Sequence, residues 1–546
     1  MMLQTRPSQG RGSCETNLAT RRRAVHTETA ETTTSSQPLR RSTRQRPRFE
    51  RADAVAQAEA SSTASAARAR KIPRSTLRGW RRRKVVSSDT PGLSAFAESP
   101  EGARALQRIV LAAIVVFGIQ HGAGAGTLRL FIVLAGLSDW IACSESTLRR
   151  TQARIVGAIG SWGDQTLQRL GSKMPHRELT VLLDETWKRL MILVAMDASS
   201  GFILAEKHSE SRDGDAWNTV MKETLKHLKV SILQVVADQA RGISNYVAKL
   251  ICAHRASDLF HGLHELGPVV GALHRKRAAA EAVAQEAVGE AKKTAKALVR
   301  RLEARIKVVT ARLGEVSDTF HPFELTTGRA LSVEAMRARL EQAVARVETA
   351  AVESGVSAGL IARIEKAQRL IPSWCATLQW WQGLVAQTLV AQGLSEPLLV
   401  VMREILIPLK YLESVQARAS HASERRRLDD VLGTLRARLA SATVWTAQSA
   451  GMQRHLGSIA LWLAGHFVRV SSALEGHNGF LSLRYHHRRA LPPPLLKALM
   501  VIHNYVLRRE DGKTAAERFF GAPHDDLFEH LLDVMPPLPR PRRRAA

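Results

Sequence analysis

The chain has 546 residues, with 79 Lys and Arg against 50 Asp and Glu, a formal net charge of +29. That length allows about two to four domains and a substantial core, and the charge excess suits a polyanionic partner. The four cysteines (Cys14, Cys143, Cys252, Cys375) lack any paired spacing, which argues against a disulfide framework and fits a reducing cytoplasm.

Residues 1–48 are rich in Ser, Thr, Gln and Arg and nearly free of large apolar side chains, so a disordered basic tail is expected. The polar N-terminus lacks the apolar core of a signal peptide. Residues 1–90 carry 20 Lys and Arg against 7 Asp and Glu, an excess of 13 suited to phosphate contact. Residues 49–100 form a basic module and linker. Within them, 66–84 (AARARKIPRSTLRGWRRRK) reads as the turn and second helix of a helix-turn-helix. Pro73 suits a first helical turn, Leu77 and Trp80 are the buried pair, and Arg74, Ser75, Arg78 and Arg81 lie on one side.

Residues 101–177 read as a helical DNA-binding domain with its own core. A second helix-turn-helix candidate lies at 137–151, with Ser144 as N-cap, Leu148 and Ile155 as anchors, and Ser146, Arg149 and Arg150 facing DNA. The apolar run 109–119 is too short for a membrane span and is followed by His121 and glycines. A cytoplasmic protein without a membrane partner is expected.

Residues 178–268 change character. Thr180-Val181-Leu182-Leu183-Asp184-Glu185-Thr186-Trp187 is a short apolar run ending on two carboxylates. It leads into 189–197 and, after Ala-Ser-Ser-Gly, into 202–205: three strands, the last two a hairpin. An amphipathic helix follows (Trp217, Val220, Met221, Leu225, Leu228). Residues 231–238 then form a fourth strand, parallel to the first and ending on Asp238. Arg241-Gly242-Ile243 opens a helix, and 257–261 reads as a short fifth strand. Parallel strands bring equivalent ends to one edge, so Asp184 and Asp238 converge there. Cys252, His254, His261 and His264 lack the spacing of a closed structural zinc site, and packing or DNA contact is the expectation.

Residues 269–455 are Ala-, Arg-, Glu- and Leu-rich. Val299, Leu302, Ile306, Val309, Leu313 and Val316 alternate by threes and fours, as do Val333, Met336, Leu340, Ala343 and Val347 after a break at 321–328. This predicts an antiparallel, coiled-coil-like hairpin arm. Trp374, Trp380, Trp381 and Tyr411 suggest further helices packed back as core. In 456–530, a strongly apolar helix over 456–474 delivers Glu475, with Asn478 one turn on along the same face. Residues 531–546 are a basic, Pro-rich tail.

The order of these segments resembles the RNase H-like DDE transposases of bacterial insertion sequences, in the group with a long helical insertion before the glutamate. The specific part is Glu475-Gly476-His477-Asn478-Gly479 together with Thr514-Ala515-Ala516-Glu517-Arg518-Phe519-Phe520-Gly521, and the resemblance spans roughly 178–522. It implies an α/β plus all-α architecture: an RNase H-like mixed five-stranded sheet with helices on both faces, a large helical insertion and N-terminal helical DNA-binding modules. It implies that Asp184, Asp238 and Glu475 form a catalytic triad holding two Mg²⁺ (or Mn²⁺) ions. Asp238 follows Asp184 by 54 residues, and Glu475 follows Asp238 by 237. Two such ions activate a water or 3′-hydroxyl and stabilise the leaving 3′-oxygen. Glu185 points to the other face of its strand. Asn478, His477 and Arg484 are expected as DNA or orienting contacts. The implied partner is double-stranded DNA, both terminal inverted repeats and target, bound by a nucleoid-associated homo-oligomer. The alternatives are an RNase H-like nuclease or resolvase that does not join strands, and a domesticated DNA-binding protein.

Overall fold

A computed structural model describes residues 48–82, 91–419, 421–488 and 490–541. The expected basic tail over 1–48 and the last residues of the Pro-rich tail lie almost wholly outside them. The chain divides into two units, 1–98 and 99–546.

The first unit holds the helices Arg48–Ala60, Thr63–Ala69, Arg74–Arg82 and Pro91–Glu98. Ser62 caps the second helix by accepting from Ser65 N. Residues 70–73 turn the chain, with Lys71 at φ 49°, and Pro73 lies just before the third helix, its carbonyl accepting from Leu77 N. Leu77 and Trp80 are buried with Val55, Ala66 and Ile72. They face inward because they recur at three-residue spacing on an otherwise basic helix.

The second unit is mostly helical around a single five-stranded mixed sheet of order β3-β2-β1-β4-β5. Its strands are β1 (Arg177–Lys188), β2 (Leu190–Asp197), β3 (Ile203–Ser209), β4 (Val230–Ala237) and β5 (His254–Ser257). β1–β2 and β2–β3 are antiparallel; β1–β4 and β4–β5 are parallel. Arg189 turns β1 into β2 at φ 70°. The central strands are apolar on both sides because helices cover both faces. β5 departs from expectation: it ends at Ser257, because Asp258 accepts from Phe260 N and caps the long helix Leu259–Glu286.

Around the sheet, the helix Glu145–Lys173 buries Leu148, Ile155, Ile159, Trp162 and Leu170 along one stripe. Ser144 caps it, accepting from Thr147 N. Before it, the helix Pro100–Ala113 runs on through a π segment, Ile114–Gln120. This corrects the membrane reading by length: Pro100–Gln120 is 21 residues and apolar enough to cross a bilayer. Here Val110, Leu111, Ile114 and Ile119 are buried in the core shared with the sheet.

The second core lies in the helical insertion. Gly289–Thr319 packs against both Leu259–Glu286 and Val333–Glu353. Leu302, Val309 and Val316 are buried along its seam, as are Met336, Leu340, Ala343 and Val347 opposite. The expected hairpin forms, packed onto the helix Leu259–Glu286. Its base, Phe320 and Phe323, joins Trp374, Trp381, Tyr411 and Phe467 in one aromatic core.

The apolar stretch before Glu475 is likewise two elements rather than one helix. The helix Ala450–Gly465 ends, 467–471 has no regular secondary structure, and a new helix, Ser472–Arg488, carries Glu475 in its first turn.

Candidate active site

The parallel register sets Leu182 of β1 beside Val236 of β4. Carried two residues on, it sets Asp184 beside Asp238, the first residue past β4. The antiparallel registers pair Asp184 with Val194 and Val194 with Glu206. One row on one sheet face therefore carries Asp238, Asp184 and Glu206, and the helix Ser472–Arg488 lies over it. Asn478 Nδ2 donates to Asp184 Oδ2 at 2.6 Å, and His477 Nε2 lies 2.5 Å from Glu206 Oε1, both side chains shut from solvent.

Asp184 is the most perturbed of the carboxylates. Burial pushes its pKa up to about 7, with the charges of Glu475 and Asp238 adding to the rise, while the Glu185 backbone N–H and His261 oppose it. Its other oxygen accepts that N–H at 2.8 Å. Burial also raises Glu475; the charges of Asp258 and Asp238 add to it, and His261 and His264 oppose. Asp238 accepts from Ala240 N at 2.8 Å, fixing the turn into the next helix. That helix can sit so close because residue 242 is glycine: a Cβ there would lie 1.6 Å from the Arg212 carbonyl oxygen.

The three carboxylates thus share one electrostatic neighbourhood. They do not form a closed ligand cluster: among the described residues no three His, Cys, Asp or Glu side chains are grouped to hold a metal. Glu185 faces the opposite side, accepting from Trp217 Nε1 at 3.3 Å with Arg212 at 3.5 Å.

Two members of the site were not assigned to it from the sequence, which read Asp258 within a short strand and His261 as a packing or DNA contact. Asp258, 1% exposed, accepts from Phe260 N, His261 Nδ1 and Ser471 Oγ. His261 is held protonated to higher pH by that hydrogen bond, against burial, with the Asp258, Asp238 and Asp184 charges assisting. The N-cap signature of Ser257-Asp258 before an apolar helical run was the signal for both. His254 is a packing residue, its ring stacked on Trp380 at 4.6 Å.

Of the expected DNA contacts, Arg74, Arg78, Ser146, Arg149 and Arg150 are exposed. Arg81, also exposed, donates to Thr63 at 2.8 Å, and Arg149 pairs with Glu145 at 2.6 Å. Arg484 is not a DNA contact: it is 2% exposed and donates to the carbonyls of Ile119 at 2.8 Å and Gly118 at 3.3 Å. Gly122 at φ 80° leaves room for it, since a Cβ there would lie 2.8 Å from the guanidinium. Asn478, 7% exposed, holds Asp184 rather than offering itself to DNA.

Fold and site together define a mostly helical α/β protein with a carboxylate-rich centre on one face of a mixed sheet. A family of unknown function (DUF6399) matches residues 402–546. That stretch includes Glu475 and Asn478 and excludes both aspartates. No curated protein matches the chain.

Proposed function

We propose that the chain is an RNase H-like DDE transposase that binds the ends of its element and cuts and joins DNA at Asp184, Asp238 and Glu475. The observation that carries this reading is the Asn478–Asp184 hydrogen bond. It fastens the helix bearing Glu475 to the sheet at the level of Asp184 and Asp238, so that groups far apart in sequence act on one another's charge.

The donor set fits Mg²⁺ or Mn²⁺: all three side chains offer only oxygen, and burial, with the charges of Glu475 and Asp238 adding to it, holds the pKa of Asp184 at about 7. When bound, two such ions would activate the attacking water or 3′-hydroxyl and stabilise the leaving 3′-oxygen. Around them the chain's own groups have distinct tasks. Asn478 orients Asp184. His261, whose protonated form is favoured by its bond to Asp258, sits beside the carboxylates. Arg74 and Arg78, and Ser146, Arg149 and Arg150, supply exposed donors for the terminal repeats of double-stranded DNA. Two ends must be joined, so a homo-oligomer on DNA is part of the proposal.

The test is incubation of the purified protein with Mg²⁺ and DNA carrying the inverted repeats that flank its gene. Cut and joined products, lost in Asp184→Asn, Asp238→Asn and Glu475→Gln, are expected. Cutting without joining would make it a nuclease or resolvase, and binding without cutting a domesticated DNA-binding protein.

A further inference from the structure

The non-helical stretch 467–471 joins the two cores of the second unit and leads directly into the helix of Glu475. Its side chains are tied in turn to every neighbour. Just before it, His466 Nδ1 lies 2.9 Å from Thr180 Oγ1 of β1. Phe467 packs into the insertion's aromatic core, tilted against Phe320 and edge-on to Trp381, 5.6 Å from both. Val468 packs against the sheet core and Val470 against the insertion core. Arg469 donates to the backbone carbonyl and hydroxyl of Ser317, near the end of the helix Gly289–Thr319. Its own carbonyl accepts from Leu259 N at 3.0 Å. Ser471 Oγ donates to Asp258, and Ser471 O accepts from Glu475 N at 3.0 Å.

An unbroken set of bonds therefore runs from the foot of the insertion hairpin to the backbone of Glu475. The only charged side chain in the stretch 467–471 is Arg469. A cation taken out of water needs a compensating reason, and here it meets a helix C-terminus, where carbonyls lack intrahelical partners and favour positive charge.

We infer that Arg469 is the positioning residue for Glu475, the part through which the insertion holds the glutamate at the carboxylate row. This rests on the metal-binding reading of Asp184, Asp238 and Glu475. On it, the insertion is not an appendage to the site but its outer support: a hairpin displaced by a partner or by DNA would carry Glu475 with it.

The experiment is a Mn²⁺ titration of the full chain without DNA, followed by calorimetry or electron paramagnetic resonance, with folding checked by circular dichroism. Groups that hold a ligand in place typically cost 10–100-fold in metal affinity or activity when lost. Arg469→Met should therefore weaken Mn²⁺ binding by about 10–100-fold while the folded signal remains. Arg469→Lys, which keeps a donor for the Ser317 carbonyl, should recover most of that loss. Should Arg469→Met fail to fold, Ser471→Ala, which removes only the hydroxyl bridge to Asp258, decides the matter by the same titration. A folded Arg469→Met with wild-type affinity overturns the inference, as does a wild-type Ser471→Ala where Arg469→Met is unfolded. Glu475→Gln separates the two claims. If it leaves Mn²⁺ affinity unchanged, the metal-binding reading falls and the inference with it. If it weakens binding and Arg469→Met does not, only the inference falls.

Discussion

Asn478 donates to Asp184 at 2.6 Å across 294 positions of sequence. A hydrogen bond to a charged, partly buried group contributes about 1.5–3 kcal/mol. Asn478→Ala should leave the Asp184 oxygen without that donor and Glu475 less firmly docked. The expected result is a loss of Mg²⁺-dependent cleavage of about 10–100-fold, read in a cleavage assay across Mg²⁺ concentrations. Wild-type cleavage in Asn478→Ala would remove Asn478 from the site.

The raised pKa of Asp184 has a sign. The folded protein holds its proton up to about 7, whereas the unfolded chain releases it near 3.9. Its contribution to stability is therefore fully present below about pH 4 and is lost as pH rises through about 7. In chelator, thermal stability should fall over that window and Asp184→Asn should flatten the fall. Added Mg²⁺ should restore stability most at pH 8. A pH profile identical in Asp184→Asn and wild type would show that the aspartate is not the source.

Arg484 acts through stability, not through DNA. Replacing it by Ala takes the Arg484 donor from the Ile119 carbonyl and leaves that of Gly118 with Gln152 Nε2 at 3.3 Å, a cost of about 1–3 kcal/mol for a buried group left unpaired. Thermal denaturation should record the loss, while DNA affinity of the folded fraction stays the same. Weakened DNA binding at unchanged stability would restore the reading of Arg484 as a contact.

The two exposed basic clusters should behave differently from Arg484. Substituting Arg149 and Arg150, or Arg74 and Arg78, should weaken binding to element ends while Mn²⁺ binding is kept. A lost base-edge contact costs about 1–3 kcal/mol at specific sequence and less on random DNA. An equal loss on both DNAs would mean that these arginines meet only phosphate.

Excising 275–354 is a poor test of the insertion, since it would remove the seam of Leu302, Val309, Met336 and Val347 and with it one wall of a core. Charge changes on its surface are cleaner. Lys296, Arg300 and Lys307 are exposed on the side of their helix away from the buried seam. Replacing all three by Glu should reduce paired-end joining while cleavage at a single pre-nicked end persists. Joining at normal rates in the triple variant would leave the hairpin as packing only.

What the sequence disclosed follows from the kind of signal each feature sends. The β1–β4 pair was legible because apolar runs of strand length ending on Asp announce both burial and direction. The heptads of Gly289–Thr319 were legible for the same reason: periodicity is local. The break at 466–471 was not, because Phe467, Val468 and Val470 continue an apolar pattern, and only tertiary ties to Ser317 and Asp258 pull the chain out of a helix. Arg484 was misread since a basic residue in a basic protein looks like a surface one; its partners are backbone carbonyls some 365 positions away. The span of Pro100–Gln120 was underread because charged residues open its first turns, where the helix had already begun.

The length of chain between Asp238 and Glu475 sets an order of events during synthesis. Ribosomes add about 5–20 residues per second, so roughly ten to fifty seconds pass between the making of the second aspartate and of the glutamate. Throughout that interval the sheet face bearing Asp184 and Glu206 has no lid, because His477 and Asn478 have not yet been made. Ile203 on β3 waits longer still, since its backbone hydrogen bonds go to Asn504. The sheet is thus chemically incomplete until the segment from Glu475 to Asn504 has been made. On the proposed reading, a chain cut short anywhere before Glu475 yields a product that cannot cut DNA.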